Sequence, residues 1–156
     1  MDSMTNIEYL RFLISDRDKT NQLFTDEELK AIIKQNTVYK VIEPKKIDNT
    51  HFNIGYKMID EDYEVEFLNE SNIPISATID RATGEVITDT EQYRIKVKAR
   101  VVLWNEVVAD IYEAIAADFR KLSSYSTSIN QQSYDDTKAI LLRMAKSKRT
   151  VTGTQI

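Results

Sequence analysis

The stretch NEVVADIYEAIAADFRKL, SSYSTSINQQ, SYDDTKAILLRMAKSKR, residues 105–149, decides how the rest of the chain is read. Trp104, Val108, Ile111, Ile115, Phe119 and Leu122 recur at spacings of three and four. They share one face of an amphipathic helix, so one long helix is expected over 105–122. Ala109, Ala114, Ala116 and Ala117 keep its other faces slim and leave room for a neighbouring helix. After a polar loop over 123–132, Ser133 reads as an N-cap with Asp136 at the third helical position. Thr137, Leu141, Met144 and Ala145 form the apolar row of that second helix. Asp135 and Asp136 in its first turn and Lys146, Lys148 and Arg149 in its last complement the helix dipole. The expected core of this helical body is Trp104, Val108, Ile111, Ile115, Phe119, Leu122, Leu141 and Met144.

Upstream, Thr5 to Glu8 reads as a capping box, and Ile7, Leu10, Leu13 and Ile14 form one stripe, which predicts a first helix. The second has Thr25 as N-cap, Glu28 three residues on, and Phe24 placed to staple onto Leu29, with Ile32 and Ile33 continuing the buried face. Helices this short are marginal alone in water and need a surface to pack on, which the helix at 105–122 supplies.

From Thr37 the spacing changes to alternation. Val38 to Val41, His51 to Met58 and Tyr63 to Leu68 read as strands with one wet face, and Asn72, Ile73 and Pro74 mark a turn. Ile75 to Asp80 and Glu85 to Thr88 flank Arg81-Ala82-Thr83-Gly84, where the glycine supplies the positive dihedral of a tight hairpin. Tyr93, Ile95, Val97 and Ala99 alternate with Arg94, Lys96, Lys98 and Arg100, a half-exposed strand whose wet face is basic. The expected fold class is α+β: a mainly helical body (two short N-terminal helices, a long central helix, a C-terminal helix) with one small antiparallel β-sheet inserted at 37–102. The boundaries expected are a single domain over 1–149 and an extended tail, TVTGTQI, over 150–156.

The whole chain has 156 residues, 42% of them hydrophobic, which suffices for one sizeable core. A net charge of -4 argues against general nucleic-acid binding, which needs clustered positive charge. With no cysteine there is no disulfide, thiolate nucleophile or cysteine metal site. No apolar run approaches the ~18 residues of a membrane span and the N-terminus lacks a signal-peptide pattern, so a soluble protein without a membrane partner is expected.

Little in the sequence points to catalysis. The single histidine, His51, has no serine, aspartate or cysteine constellation beside it and reads as structural. Asp60, Glu61, Asp62, Glu64 and Glu66 are the densest acidic run, but the ordered spacing and central glycine of a calcium loop are missing, so a solvated turn is the preferred reading. No phosphate loop, dinucleotide fingerprint or nucleophile elbow occurs. Neither an enzyme, nor a cofactor, nor a metal is expected.

Three strings nevertheless resemble one family. IEYLRFLISDRDKTNQLFTDEELKAII is similar to the opening of the head-to-tail connector, or neck adaptor, proteins of long-tailed bacteriophages and prophages; DYEVEFLNESNIPISATIDRATGEVIT resembles that family's sheet insertion. NEVVADIYEAIAADFRKLSSYSTSINQQSYDDTKAILLRMAKSKR resembles its closing helix pair, although Ser128, Ile129, Asn130 and Gln131 stand where many relatives have Asp-Gly. The resemblance implies a structural virion protein in the neck, made in the host bacterial cytoplasm. It further implies a homo-oligomeric ring, typically a dodecamer, that docks on the portal protein after packaging and carries a stopper or tail-completion protein. DNA would pass through its channel without sequence-specific binding. The family's tail reaches onto the portal, which makes Lys148, Arg149, Val151, Thr152 and Thr154 the portal-docking candidates. Alternatives from the same residues are a stopper or tail-completion ring, a metal-dependent hydrolase using Asp60 to Glu66, and a cytosolic binding module unrelated to phage.

Overall fold

A computed structural model describes residues 4–16, 22–128 and 134–149. Its elements, in order, are α1 (Asn6–Ile14), α2 (Asp26–Gln35), β1 (Thr37–Ile42), β2 (Lys45–Lys46), β3 (His51–Asn53), β4 (Glu66–Asn69), β5 (Ala77–Asp80), β6 (Glu85–Thr88), β7 (Ile95–Val102), α3 (Trp104–Ala117), α4 (Phe119–Ser128) and α5 (Tyr134–Arg149). The α+β class is as expected. The chain forms two compact units, one of strands over 37–102 together with the start of α1 at Asn6, and one of helices over 7–36 and 103–149.

In the strand unit, alternation produces two antiparallel sheets where one was expected: a three-stranded sheet in the order β1-β7-β4 and a four-stranded sheet in the order β2-β3-β6-β5. The division follows from length. β7 is eight residues long and holds β1 from Thr37↔Val102 to Ile42↔Val97, while β4 covers only its first half. β3 and β6 pair separately, with Phe52 opposite Val86. Phe52, Ile54, Ile59 and Val86 then share one core with Ile95, Val97, Ala99 and Val101 of β7. Several strands are shorter than their alternation suggests. β3 ends at Asn53, because Gly55 and Met58 adopt positive φ, and β4 begins only at Glu66, after a turn at Glu61–Asp62. The β5–β6 hairpin closes through Gly84, whose φ is +80° and whose N–H donates to the Asp80 carbonyl at 2.7 Å.

In the helical unit, α2 starts on the expected capping box: Thr25 Oγ1 accepts from the Glu28 N–H at 3.1 Å, and the Glu28 carboxylate accepts from the Thr25 N–H at 2.9 Å. Leu10, Phe24, Leu29 and Ile33 are buried, as their spacing requires, whereas Ile32 is half-buried. α2, α4 and α5 all pack on α3, and α1 reaches its first residue through an edge-to-face contact of Tyr9 on Trp104 with ring centroids 4.9 Å apart. Trp104, Val108, Ile111, Ile115, Leu122 and Leu141 are buried, and Thr137 and Ala145 lie in the same row of α5. Met144 is only half-buried, because the buried row of α5 runs through Thr137, Leu141 and Ala145 at spacings of four and leaves Met144 beside it. The side chain of Phe119 and the expected N-cap Ser133 lie outside the described residues.

The long central helix is in fact two helices. Asp118 leaves helical geometry at φ -109°, ψ 113°, ending α3, and then caps α4. Its carboxylate accepts from the N–H groups of Arg120 at 2.9 Å and Lys121 at 3.2 Å, and its carbonyl accepts from Leu122. An aspartate is among the strongest N-cap residues, so the break has a local cause. The apolar spacing continues across it, which is why spacing alone predicts one rod. α4 also runs through Ser128, into the segment expected to be loop.

Candidate functional site

The C-terminal turn of α5 is where the expected docking residues begin. Lys148 is exposed. Arg149 is turned onto α3, where Glu106, Asp110 and Glu113 lie on one face because they are spaced by four and three residues. The guanidinium donates to Glu106 Oε2 at 2.9 Å, to Asp110 Oδ1 at 2.7 Å and to Glu113 Oε1. Asp110 has a second donor, Asn36 Nδ2 at 2.9 Å, and Asn36 also donates to the Ile32 carbonyl. One carboxylate thereby ties the end of α2, the middle of α3 and the end of α5. Arg149 suits this position because its planar fork can serve several acceptors at once. Val151, Thr152 and Thr154 lie outside the described residues.

A second arginine, which the spacing of α1 does not mark, is more deeply placed. Arg11 is buried and donates to the Asp16 carboxylate at 3.0 Å, the Phe24 carbonyl at 3.0 Å and Asp26 Oδ1 at 2.7 Å. Asp16, also buried, in turn accepts from the N–H groups of Leu23 and Phe24. Read as sequence, Arg11 and Asp16 are two polar residues at the end of a helix; only the return of the chain at Leu23–Asp26 reveals them as a pair that joins α1 to α2.

The residues weighed for chemistry are set in structural roles. His51 Nδ1 faces both Asp48 Oδ1 at 2.9 Å and Thr50 Oγ1 at 3.0 Å. A relay needs the carboxylate and the hydroxyl on opposite ring nitrogens, so this is not nucleophile-activating geometry. Asp48 also accepts from the N–H groups of Thr50 and His51, and the Thr50 N–H, followed by the His51 imidazole and the Thr50 hydroxyl, holds its carboxyl down at about 2. Within the acidic run, Asp60 Oδ2 faces Arg100 at 3.5 Å and Asp60 Oδ1 accepts from the Asp62 N–H, while Glu61, Asp62, Glu64 and Glu66 are exposed. Among the described residues no three acids or histidines converge as a metal site, and no helix is long and apolar enough to cross a membrane. The wet face of β7 is basic as expected: Lys96, Lys98 and Arg100 are half-exposed, with Arg100 stacked 5.7 Å over the Tyr63 ring.

No similarity to a known protein settles the family. No family model matches the chain, and neither a curated protein nor a solved structure is significantly similar to it.

Proposed function

We propose that this chain is a structural protein of a long-tailed phage neck, a subunit of an adaptor ring that docks on the portal protein after DNA packaging and joins the head to a stopper or tail. The reading rests on the resemblance of its three strings. The observation that supports it most is the end of α5: Arg149 is held on three carboxylates of α3 while Lys148 stays exposed, so α5 ends at a fixed point. On this reading Arg149 anchors the segment, and Lys148 with Val151, Thr152 and Thr154 meets the portal. A tail that orders only on its platform would delay ring closure until the portal is present. A closed ring repeats one contact between two different faces of each subunit, and the dodecamer belongs to this proposal.

The test is negative-stain microscopy of a lysate in which the gene is disrupted, beside a complemented control. Separate filled heads and finished, unattached tails are expected. Normal virions, or a lysate lacking heads or tails altogether, would overturn the reading. In vitro, a chain lacking residues 150–156 should remain folded and lose portal binding.

A further inference from the structure

The connection from β1 to β2 and the start of β7 border an open cavity of about 300 Å³ in the strand unit, lined by Glu43, Pro44, Lys46, Tyr93, Arg94 and the buried pair Phe52 and Ile95. That volume is at the low end of ligand sites and suits one large side chain. Phe52 and Ile95 underlie it, each only 1% exposed, so little of their surface is open to it, and its rim is cationic. Tyr93 is 72% exposed, unusual for so large a ring, and both cations lie over it: Lys46 Nζ at 5.0 Å from the ring centre and the Arg94 guanidinium at 5.9 Å. Glu43 is the one acid of the rim, 3.9 Å from Arg94 with both side chains about 60% exposed, a pair that holds Arg94 weakly. β2 borders the cavity and is the end strand of its sheet, so among the described residues one side of its backbone has no strand neighbour. By alternation its opposite face presents Lys45 and then Ile47, itself 61% exposed.

We propose that this edge and cavity bind an extended acidic segment of a partner protein, which adds a strand beside β2, lays an aromatic side chain against the exposed Tyr93 ring, and sets carboxylates against Lys46 and Arg94. Backbone pairing gives such a site affinity, and the pocket with its charges gives it specificity. Charge decides between partners. A second copy of β2 would bring Lys45 and Lys46 against Lys45 and Lys46, so self-pairing is disfavoured by charge while an acidic strand is not. A nucleic acid could stack on Tyr93, but it would leave the strand edge unused and meet Glu43. The inference does not depend on the neck reading.

The probe is the acetylated, amidated heptapeptide Thr-Glu-Thr-Phe-Thr-Glu-Thr, whose alternation puts phenylalanine and both glutamates on one face. Titrated into the isotopically labelled full chain, it should shift the amides of 45–47 and 93–95 saturably at sub-millimolar concentration. Replacing both glutamates of the peptide by glutamine should weaken binding about tenfold, one such factor being a modest change in free energy. The Lys46→Glu, Arg94→Glu double variant should do the same, and a peptide with lysines for its glutamates should bind that variant better than wild type. Because both side chains are at the surface, the variant's amide spectrum reports directly that it is folded. The proposal is overturned by no saturable shift, by shifts elsewhere, by equal binding of the glutamine peptide, by concentration-dependent self-association through these amides, or by preferential binding of an oligothymidylate.

Discussion

Replacing Arg149 by alanine isolates the link between α5 and α3. The substitution removes a guanidinium that is 34% exposed and leaves Glu106, Asp110 and Glu113 without their common cation. A fully exposed pair contributes about 0.2–1 kcal/mol, whereas a hydrogen bond to a charged group contributes about 1.5–3 kcal/mol. One-third exposure puts each of the two well-formed contacts, to Glu106 and Asp110, near ~1 kcal/mol. Three carboxylates spaced by four and three residues on one helix then repel by a few tenths of a kcal/mol per pair. The expected loss is about 2–3 kcal/mol from the helical unit, on the order of 10 °C in its midpoint. Urea denaturation followed by far-ultraviolet circular dichroism, with Arg149→Ala, Asp110→Asn and the double variant, measures it. The coupling energy of the pair should be near ~1 kcal/mol and should shrink in half-molar salt. Loss of less than about 0.5 kcal/mol in Arg149→Ala, the ordinary scatter of surface substitutions, would show that the arginine does not hold α5 and would remove the fixed point from which the docking segment is proposed to leave.

Other outcomes follow from the same contacts. Arg11→Met should cost about 3–5 kcal/mol in chemical denaturation, since it strands the buried Asp16 carboxylate, and restoring much of that loss with Asp16→Asn would identify the uncompensated charge as the cause. Ile111→Asp should leave no folded helical unit by the same methods, because Ile111 is fully buried and the charge has no partner. Gly84→Ala should destabilise the β5–β6 hairpin by about 1–3 kcal/mol, as an added Cβ would lie 2.4 Å from the Tyr56 carbonyl in a backbone conformation that already disfavours a side chain. Asp118 has its carboxyl held below the ordinary value, chiefly by the Lys121 N–H, so its capping contribution is complete above the unfolded-state value and is lost as pH falls through the lowered one. NMR shifts of residues 119–122 should therefore report loss of the first turn of α4 in acid. Asp118→Asn should keep that turn and lose its pH dependence, whereas Asp118→Ala should lose it at neutral pH.

Much of the architecture is written locally. The capping box at Thr25 and Glu28, the hairpin glycine at Gly84 and the alternation of β7 each depend on neighbours a few residues away, and the structure places them where those neighbours require. The break at Asp118 is local too, but its signal is a single capping residue inside an uninterrupted apolar spacing. The site at the end of α5 was half legible: Lys148 and Arg149 stand out as a basic terminus, while their different fates do not. Nothing near Arg149 in sequence indicates that Glu106, Asp110 and Glu113 wait some forty residues earlier on one helical face. The cavity bounded by Lys46, Tyr93 and Arg94 was illegible for the same reason, since it exists only because β2 and the start of β7 are brought together.

By itself, then, the sequence determined the α+β class, the capped start of α2 and most of the buried face of α3, because periodicity and capping are interactions between residues within about a turn of each other. Only the tertiary structure decided that the strands divide into two sheets, that Arg11 pairs with Asp16 across a return of the chain, and that one basic residue of α5 is an anchor while its neighbour is exposed. Those outcomes depend on contacts between segments far apart in the chain. Charge attraction and strand pairing there are set by where the folded backbone brings each group, a quantity that spacing along the sequence does not contain.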